Sequence, residues 1–474
     1  MKESHNFNII LYLLPIAILL FSNSNYNLCG ATETPQHFII KHIEIKGNRV
    51  TRNNVVLREL TFKVNDTIGK NELEKMFVHS RENILKTSLF NYVNFDTLTE
   101  TPNLMQIIVI LEERWYIWPE FHFNHADRNL SAWWENRDLG KINYGLGITH
   151  YNFRGRREKL SVKGITGFTT QFGITYENIY IDRQKKHSLN FGAYYETQNK
   201  LDYITLNNKP ELFKADRIVF TKHDFFFRYS FRNKHYQTHR FITTYTGYMV
   251  DDTVISLNPD FLGKAKSELG FLTFIYAFES DHTDLKYYPL TGSLFTFTLK
   301  SSGLLSQSFS KIELRTGYHR FFSLGKRWYA NAGLKLQVAG KKPVPYITLV
   351  GFGYDEYLRG FERYVMDGHN YLLYRSTLKY EILPVKIFKL NFLPFRQFNK
   401  IHLSSYINLF FDAGYVYDYF GNYKTYGNNL VNKALFSTGA GFDLVTYYDK
   451  MLKVDFALNS IGETGVFISM VQKF

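Results

Sequence analysis

The sequence predicts a mainly β protein, a transmembrane antiparallel β-barrel of about 16 strands preceded by one small α+β domain. Apolar and polar side chains alternate in many segments, as in residues 225–232 and 452–459. Aromatic residues make up 18% of the chain, yet the mean hydropathy is only −0.26 and no apolar run reaches the ~18 residues of a membrane-spanning helix. Alternating strands cross a bilayer only in a closed barrel, because every backbone group must be paired there. A soluble all-β protein with an aromatic core is the alternative.

The first residues predict a cleaved secretory signal, assigned to residues 1–31. Lys2 precedes an apolar stretch, Ile9 to Phe21, that is too short to span a membrane, and small residues follow up to Ala31. Cleavage there would remove Cys29, the single cysteine, so stability would come from burial and strand closure. A lipid anchor on Cys29 is the competing interpretation, although the bulky Leu28 before it fits an anchor poorly.

Residues 32–114 predict the α+β domain, because strand and helix periodicities are mixed there. Gly47 and Asn48 predict a turn after the first strand, and Thr51 is placed to cap a first helix. Asn71, with Glu74 three residues later, predicts the start of a second helix. The expected order is strand, helix, helix, strand, strand, with strands at 38–46, 92–97 and 104–112.

This segment resembles a polypeptide-transport-associated (POTRA) domain. The pattern Ile-x-Ile-x-Gly-Asn-x-x-Thr carries the likeness, together with a later Leu-Phe pair; the residues are Ile43, Ile45, Gly47, Asn48, Thr51, Leu89 and Phe90. The resemblance implies a periplasmic domain whose exposed sheet edge pairs with client strands. A small α+β domain of no known family would explain the same periodicity.

Residues 115–474 predict the barrel, since roughly 20 to 23 residues per strand and connection give about 16 strands. The expected first strand is Ile117 to Phe123. Pro119 within it favours a sheet edge, because proline donates no ladder hydrogen bond, although a bend at the barrel entrance would explain it equally well. The chain ends on Phe474, which continues the apolar face of the last strand.

Two motifs predict a contact inside the barrel. Leu358-Arg359-Gly360-Phe361 lies in a long segment without alternation, and Phe410, Asp412 and Gly414 share the inward parity of a strand whose other face is apolar. An unpaired carboxylate in a confined lumen is costly, so Arg359 on an inward-folded loop is the natural bidentate partner of Asp412. Gly360 and Gly414 would allow the loop backbone to approach the wall.

Both motifs resemble those of the outer-membrane insertase and translocase superfamily that includes BamA and TamA. In that family the loop motif is Val-Arg-Gly-Phe or a near variant and the wall motif is Phe-x-Asp-x-Gly. The matching residues are Arg359, Gly360 and Phe361, with Leu358 in the Val place, and Phe410, Asp412 and Gly414. Terminal Phe474 resembles the family's end signal. The best-known members carry several POTRA modules and this chain has room for one, which weakens any likeness to the central insertase of a cell.

The resemblance implies a non-enzymatic protein of the bacterial outer membrane, with its POTRA domain in the periplasm and with no cofactor or metal. Such a protein assembles β-barrel proteins into that membrane or translocates polypeptides across it, by strand pairing at the POTRA edge and at a weak seam between the first and last barrel strands. The implied partners are unfolded outer-membrane or secreted polypeptides, periplasmic accessory proteins or chaperones, and membrane lipids.

Other classes of function have less support in the sequence. A passive porin would not need a POTRA domain or an inward Arg loop. His402 and Ser404 share a strand face, as in a barrel lipid hydrolase, but a third catalytic partner is not identifiable. Zinc-protease, nucleotide-binding and paired-cysteine motifs are absent from the sequence. The formal charge of +14 is scattered among aromatic strand residues, which disfavours nucleic acid and favours loops and lumen near anionic headgroups.

Overall fold

A computed structural model describes residues 37–101, 103–125, 139–182, 184, 186–234, 236–306, 309–389, 400–446 and 450–472. The expected signal segment, with Cys29, and the terminal Phe474 lie outside the described residues. None of the helices in the described ranges combines the length and the apolar character needed to cross a membrane.

A small α+β unit forms the start of the described chain. Its elements are β1 (His37–Lys46), α1 (Asn53–Leu57), β2 (Thr67–Gly69), α2 (Lys70–Leu85), β3 (Phe90–Thr101) and β4 (Leu104–Glu113). The strands pair in the order β2-β1-β4-β3, with β1 parallel to β4. Ile84 on α2 is fully buried with Ile107 and Val109 on β4 in one apolar core. The sequence predicts the helices and the three long strands but not β2, because three residues carry too little periodicity.

The turn after β1 depends on Gly47. This residue has a φ of +95°, and a Cβ at this position would lie 1.9 Å from the carbonyl oxygen of Leu111. Only glycine fits both the conformation and the close approach. The side-chain amide of Asn48 then donates to the carbonyl of Thr51 at 2.8 Å, which tightens the turn.

The two predicted helix caps are wrong. Helix α1 begins after Arg52 without a side-chain cap, and α2 begins at Lys70 rather than at Asn71. Thr51 is buried instead: its hydroxyl lies 2.8 Å from that of Tyr116 and accepts a 2.8 Å hydrogen bond from Asn152 in the barrel. A tertiary contact has therefore taken the hydroxyl that a local cap would have used.

The remaining elements belong to the second part of the chain. In order they are β5 (Ile117–His125), β6 (Ile142–Phe153), β7 (Glu158–Gly167), β8 (Thr169–Tyr180), β9 (His187–Gln198), β10 (Lys200–Leu206), β11 (Lys209–Lys214), β12 (Phe220–Asn233), β13 (Gln237–Val250), α3 (Asp252–Leu257), β14 (Glu268–Asp281), β15 (Gly292–Leu304), β16 (Lys311–Gly325), β17 (Trp328–Ala339), β18 (Val350–Phe352), β19 (Met366–Gly368), β20 (Asn370–Lys389), β21 (Lys400–Tyr417), α4 (Asn422–Thr425), β22 (Ala434–Thr446), β23 (Lys450–Asn459) and β24 (Thr464–Gln472). Short 3-10 helices lie at Leu139–Lys141 and Tyr346–Thr348.

In the described residues, sixteen of these strands form one antiparallel sheet in chain order, while β10–β11 and β18–β19 are separate hairpins. The sheet curves into a barrel and brings distant strands together. Tyr288, between β14 and β15, donates a 2.7 Å hydrogen bond to Asp443 on the distant strand β22. Phe121 and Phe123 on the outer face of β5 are 79% and 77% exposed. The predicted fold class, a large antiparallel barrel after a small α+β domain, is confirmed.

The two ends of the barrel differ. The proximal end is the one that contacts the α+β unit, where the amide of Arg52 donates to the carbonyl of Gly155 in the β6–β7 turn at 2.9 Å. Connections alternate between the ends of an antiparallel meander, so the long segments 199–219, 251–267, 340–369 and 418–433 belong to the opposite, distal end. The first of these holds the hairpin β10–β11 and the second holds α3.

Candidate functional site: an inward loop bound to the barrel wall

The distal connection between β17 and β20 folds against the inner wall of the barrel. Its base is the β18–β19 hairpin, and its tip is residues 353–365. Leu358 and Phe361 are buried with Phe352 on β18 and Val416 on β21. Burial of each such side chain is worth about 1.5–3 kcal/mol, so apolar packing anchors the tip.

Arg359 at this tip forms a bidentate ion pair with Asp412 on β21. The Nε of Arg359 donates to Oδ2 of Asp412 at 2.7 Å, and a terminal guanidinium nitrogen donates to Oδ1. Asp412 has no exposed surface and the Arg359 side chain is 14% exposed. A carboxylate buried to this extent requires a charged partner, which the loop supplies.

The wall holds the guanidinium group of Arg359 through further contacts. The ring of Phe410 lies 3.9 Å from its central carbon, and a terminal nitrogen donates to the carbonyl of Ser376 and the hydroxyl of Thr377, each at 3.3 Å. Arg375 on β20 places its Nε 3.7 Å from the same carboxylate. Two guanidinium groups therefore converge on one buried aspartate.

Two glycines permit the close approach of loop and wall. Gly360 has a φ of +82°, and a Cβ there would lie 3.3 Å from the Cβ atoms of Ala457 and Ser437. Its carbonyl accepts a 2.8 Å hydrogen bond from Asn459. A Cβ on Gly414 would lie 2.6 Å from the ring of Phe352. A side chain at Gly414 would clash with Phe352, and one at Gly360 would be strained by the positive φ and crowded by the wall.

Chemically, this arrangement fixes a loop inside a barrel. The charged groups of the loop and the wall are satisfied by one another, and separating them would leave buried charges unpaired. Across the described ranges, no group of three or more His, Cys, Asp or Glu side chains is placed to hold a metal ion.

A second ion-pair cluster joins the α+β unit to the proximal end. Glu59 is 1% exposed and accepts hydrogen bonds from Arg232 at 3.0 and 3.1 Å and from Arg58 at 2.8 Å. Arg157 lies 3.9 Å away. Burial acts to raise the pKa of Glu59, but attraction by Arg232, Arg58 and Arg157 outweighs it and lowers the pKa to about 2. Glu59 is therefore charged when the unit is docked.

Pro119 lies on a strand at one end of the sheet. In β5 it faces Ile148 of β6 in the ladder register and is exposed on the outer face. Within the described part of the chain no ladder joins β5 to β24, which are the two ends of the sheet. Proline is tolerated on such a strand, because in the described residues only one side of β5 takes part in a ladder.

Sequence reasoning missed three residues of these sites. Arg375 and Asn459 lie in alternating strands, and strand parity would have pointed both at the lumen. Glu59 gives no such signal, because its partner Arg232 is 173 positions away in the chain. Only the docking of the α+β unit brings these two together.

Comparison with known proteins bears on the fold. No protein-family model matches the chain, and no curated protein is detectably similar in sequence. Among solved structures, BamA from Haemophilus ducreyi lacking POTRA domains 1–3 matches with a TM-score of 0.51 and 16% identity over 92% of this chain and 84% of that one. CdiB from Escherichia coli matches with a TM-score of 0.53 and 9% identity over 91% and 76% of the two chains. The chain thus has a barrel fold of the BamA and CdiB type.

Proposed function

We propose that the protein is an outer-membrane insertase or translocase that handles polypeptides by strand pairing and has no enzymatic activity of its own. The observation that carries the proposal is the inward loop, held to the wall by Arg359 and Asp412 in a barrel of the BamA type. Its clients are unfolded outer-membrane or secreted polypeptides. Periplasmic accessory proteins or chaperones and membrane lipids are its further partners.

The α+β unit serves as a single periplasmic POTRA domain in this proposal. Among the described residues, β3 pairs with β4 on one side only, and Tyr92 and Leu98 on it are about half exposed. An open strand edge offers unpaired backbone groups to a client strand. The ends of the barrel sheet, β5 and β24, offer a second place for the same pairing.

A passive porin is less compatible with the lumen. The loop 340–369 enters it from the distal end, and Tyr288 reaches Asp443 and the ring of Tyr406 from the proximal end. A general diffusion pore keeps a water-filled channel through its barrel. The occupied lumen favours a protein whose lateral edges, rather than its axis, are used.

Depletion of the protein tests the proposal. An inventory of outer-membrane proteins after depletion should show loss of many barrel proteins for a general insertase, or of one exported protein for a dedicated translocator. Wild-type protein should restore them and the Arg359→Ala variant should not. An unchanged inventory and unchanged secretion would exclude both roles.

A further inference from the structure

The proximal end contains a cavity of about 500 Å³ between the α+β unit and the inner wall of the barrel. We call this cavity the proximal vestibule. Its walls come from the α2–β3 connection, the proximal ends of β7 to β9 and β12 to β14, and the β14–β15 connection. Its volume lies within the roughly 300–1,000 Å³ of ordinary ligand sites.

The charge of the proximal vestibule is strongly one-sided. Nine basic side chains line it, namely Lys86, Arg114, Arg157, Lys159, Lys186, Arg228, Arg232, Arg240 and Lys286, against the four carboxylates of Glu59, Glu177, Glu279 and Asp281. The carboxylates already have partners: Glu59 is held by arginines, Glu177 pairs with Arg228, Glu279 pairs with Arg240, and Asp281 accepts from Thr283. An excess of five positive charges faces the cavity.

Three of these cations have no ion-pair partner among the described residues. In the described structure no carboxylate oxygen comes within 4 Å of the ammonium groups of Lys86, Lys186 or Lys286, and Lys86 instead lies 5.6 Å from the ring centroid of Tyr236. Desolvation and the guanidinium groups of Arg157 and Arg240 lower the pKa of Lys286. Like charges held together at a concave wall are stabilised by an incoming anion.

We propose that the proximal vestibule is a binding site for acidic stretches of extended polypeptide, with Lys86, Lys186 and Lys286 as the main carboxylate contacts. This inference rests on the proposed function and names a class of client segment. The aromatic residues between the cations, among them Trp118, Tyr151 and Tyr287, offer apolar contact to the rest of such a segment.

The position of the cations favours a polypeptide over a lipid. Arg228, Ser230 and Arg232 alternate on β12 with Phe227 and Tyr229, and it is the polar set that lines the vestibule. The cavity therefore opens inside the barrel, away from the bilayer core in which the acyl chains of a lipid would lie. An extended chain, in contrast, enters from the proximal side and leaves by the same route.

Peptide binding to the purified full-length protein in detergent tests the inference. The probes are fluorescein-labelled peptides of equal length built from Ser and Gly with Asp, Asn or Lys at the same positions. Fluorescence anisotropy at about 0.1 M salt, where the Debye length is about 10 Å, should show tightest binding of the Asp peptide. The variant K86Q/K186Q/K286Q should weaken it by about tenfold, since exposed ion pairs each contribute modestly.

A matched variant separates local charge from net charge. K326Q/K341Q/K342Q removes three exposed lysines outside the vestibule and should bind the Asp peptide like the wild type. Equal binding of the Asp and Asn peptides, or equal weakening by both triple variants, would overturn the inference. Displacement of the peptide by short-chain phosphatidylglycerol at lower concentrations than by free Asp peptide would assign the site to lipid instead.

Assembly of an unfolded barrel protein into vesicles, measured separately, keeps the two proposals distinct. Normal assembly by a protein without charge-selective binding would refute the vestibule site alone. Charge-selective binding that is lost in K86Q/K186Q/K286Q would support the site, whereas failure of the wild type to assemble any client would count against the proposed function.

Discussion

The contact between Arg359 and Asp412 is the part of the molecule where single residues matter most. Arg359→Ala and Asp412→Ala should each destabilise the protein by about 3–5 kcal/mol, because each leaves a buried charge without its partner. Asp412→Ala should cost at least as much as Arg359→Ala, since it leaves two guanidinium groups facing each other, whereas Arg375 remains beside Asp412 after loss of Arg359. Unfolding monitored by tryptophan fluorescence in detergent measures both.

A double-mutant cycle gives the control for this pair. The double variant should be no less stable than the worse single variant, because the two residues act through one contact. Arg217→Ala breaks an exposed ion pair with Asp251 at the distal surface and should leave the free energy of unfolding nearly unchanged. Fully additive losses in the cycle would show that Arg359 and Asp412 act separately.

The lowered pKa of Glu59 predicts that docking of the α+β unit onto the barrel depends on pH. Its pKa falls from 4.5 to about 2 in the docked protein, so its contribution is complete above about pH 4.5 and is lost as the pH falls towards 2. The shift corresponds to about 3 kcal/mol at most. Spin labels at Lys75 on α2 and Lys326 on the barrel should report one narrow distance at pH 7 and a broad distribution below about pH 3.

Two variants isolate Glu59 from other acid groups. Glu59→Gln keeps the shape but removes the charge facing Arg232, Arg58 and Arg157, so its distance distribution should be broad already at pH 7. Glu74→Gln, on the exposed face of α2, should behave like the wild type. If Glu59→Gln stays narrow at pH 7, the cluster does not hold the unit in place.

Strand parity explains how far the site could be predicted at the residue scale. It places Asp412 and Phe410 in the lumen because a period of two needs only local sequence. The partner Arg359 follows from the cost of a buried carboxylate and from the motif resemblance. The Glu59 cluster could not be predicted, since it depends on how two folded units meet and no local pattern encodes that.

At the scale of elements, we predict that the β14–β15 connection obstructs the lumen of the barrel, in addition to the loop 340–369. It carries Tyr288 into the lumen. There the ammonium nitrogen of Lys379 lies 3.8 Å from the centroid of the Tyr288 ring, and Asp443 accepts a hydrogen bond from the Tyr288 hydroxyl. Tyr288→Ala should loosen this connection and raise single-channel conductance in planar bilayers. Leu285→Ala, at an exposed position of the same connection, is the control and should leave conductance unchanged. Equal conductance of all three proteins would mean that Tyr288 does not obstruct the lumen.

Long alternating strands were the most predictable elements, and short ones the least. Strand β21 emerges from its alternation alone, because eighteen residues of one period outweigh local noise. The hairpin β10–β11 could not be predicted from the sequence, since its strands have only seven and six residues and no sustained alternation. Loop segments that fold on other loops give no periodic signal.

At the scale of the whole molecule, the sheet predicts heat-modifiable migration. The mature chain should begin near Thr32, fractionate with outer membranes and migrate faster in detergent gels before boiling than after it, because a sheet in which every strand between β5 and β24 is paired on both sides unfolds reluctantly. Cell fractionation and N-terminal sequencing check both parts. Recovery of the protein in the soluble periplasm would contradict the membrane assignment.

Lateral opening of the barrel would require the seam between its first and last strands, β5 and β24, to separate. Pro119 lies on β5, and no ladder joins β5 to β24 in the described residues. Cysteines introduced one in Ile117–Phe123 and one in Val466–Gln472 should form a disulfide that blocks client assembly and that reductant reverses, because the link fixes the separation of the two edges.

A disulfide between neighbouring strands that stay together is the matched control. Positions 121 and 146 face each other in the β5–β6 ladder, so the double variant Phe121→Cys and Leu146→Cys should crosslink without loss of assembly. The difference between these two crosslinks measures the need for seam opening, since both place the same bond on the same strand. Full activity of the seam-crosslinked protein would rule out lateral opening and would indicate that clients pass along the axis of the barrel.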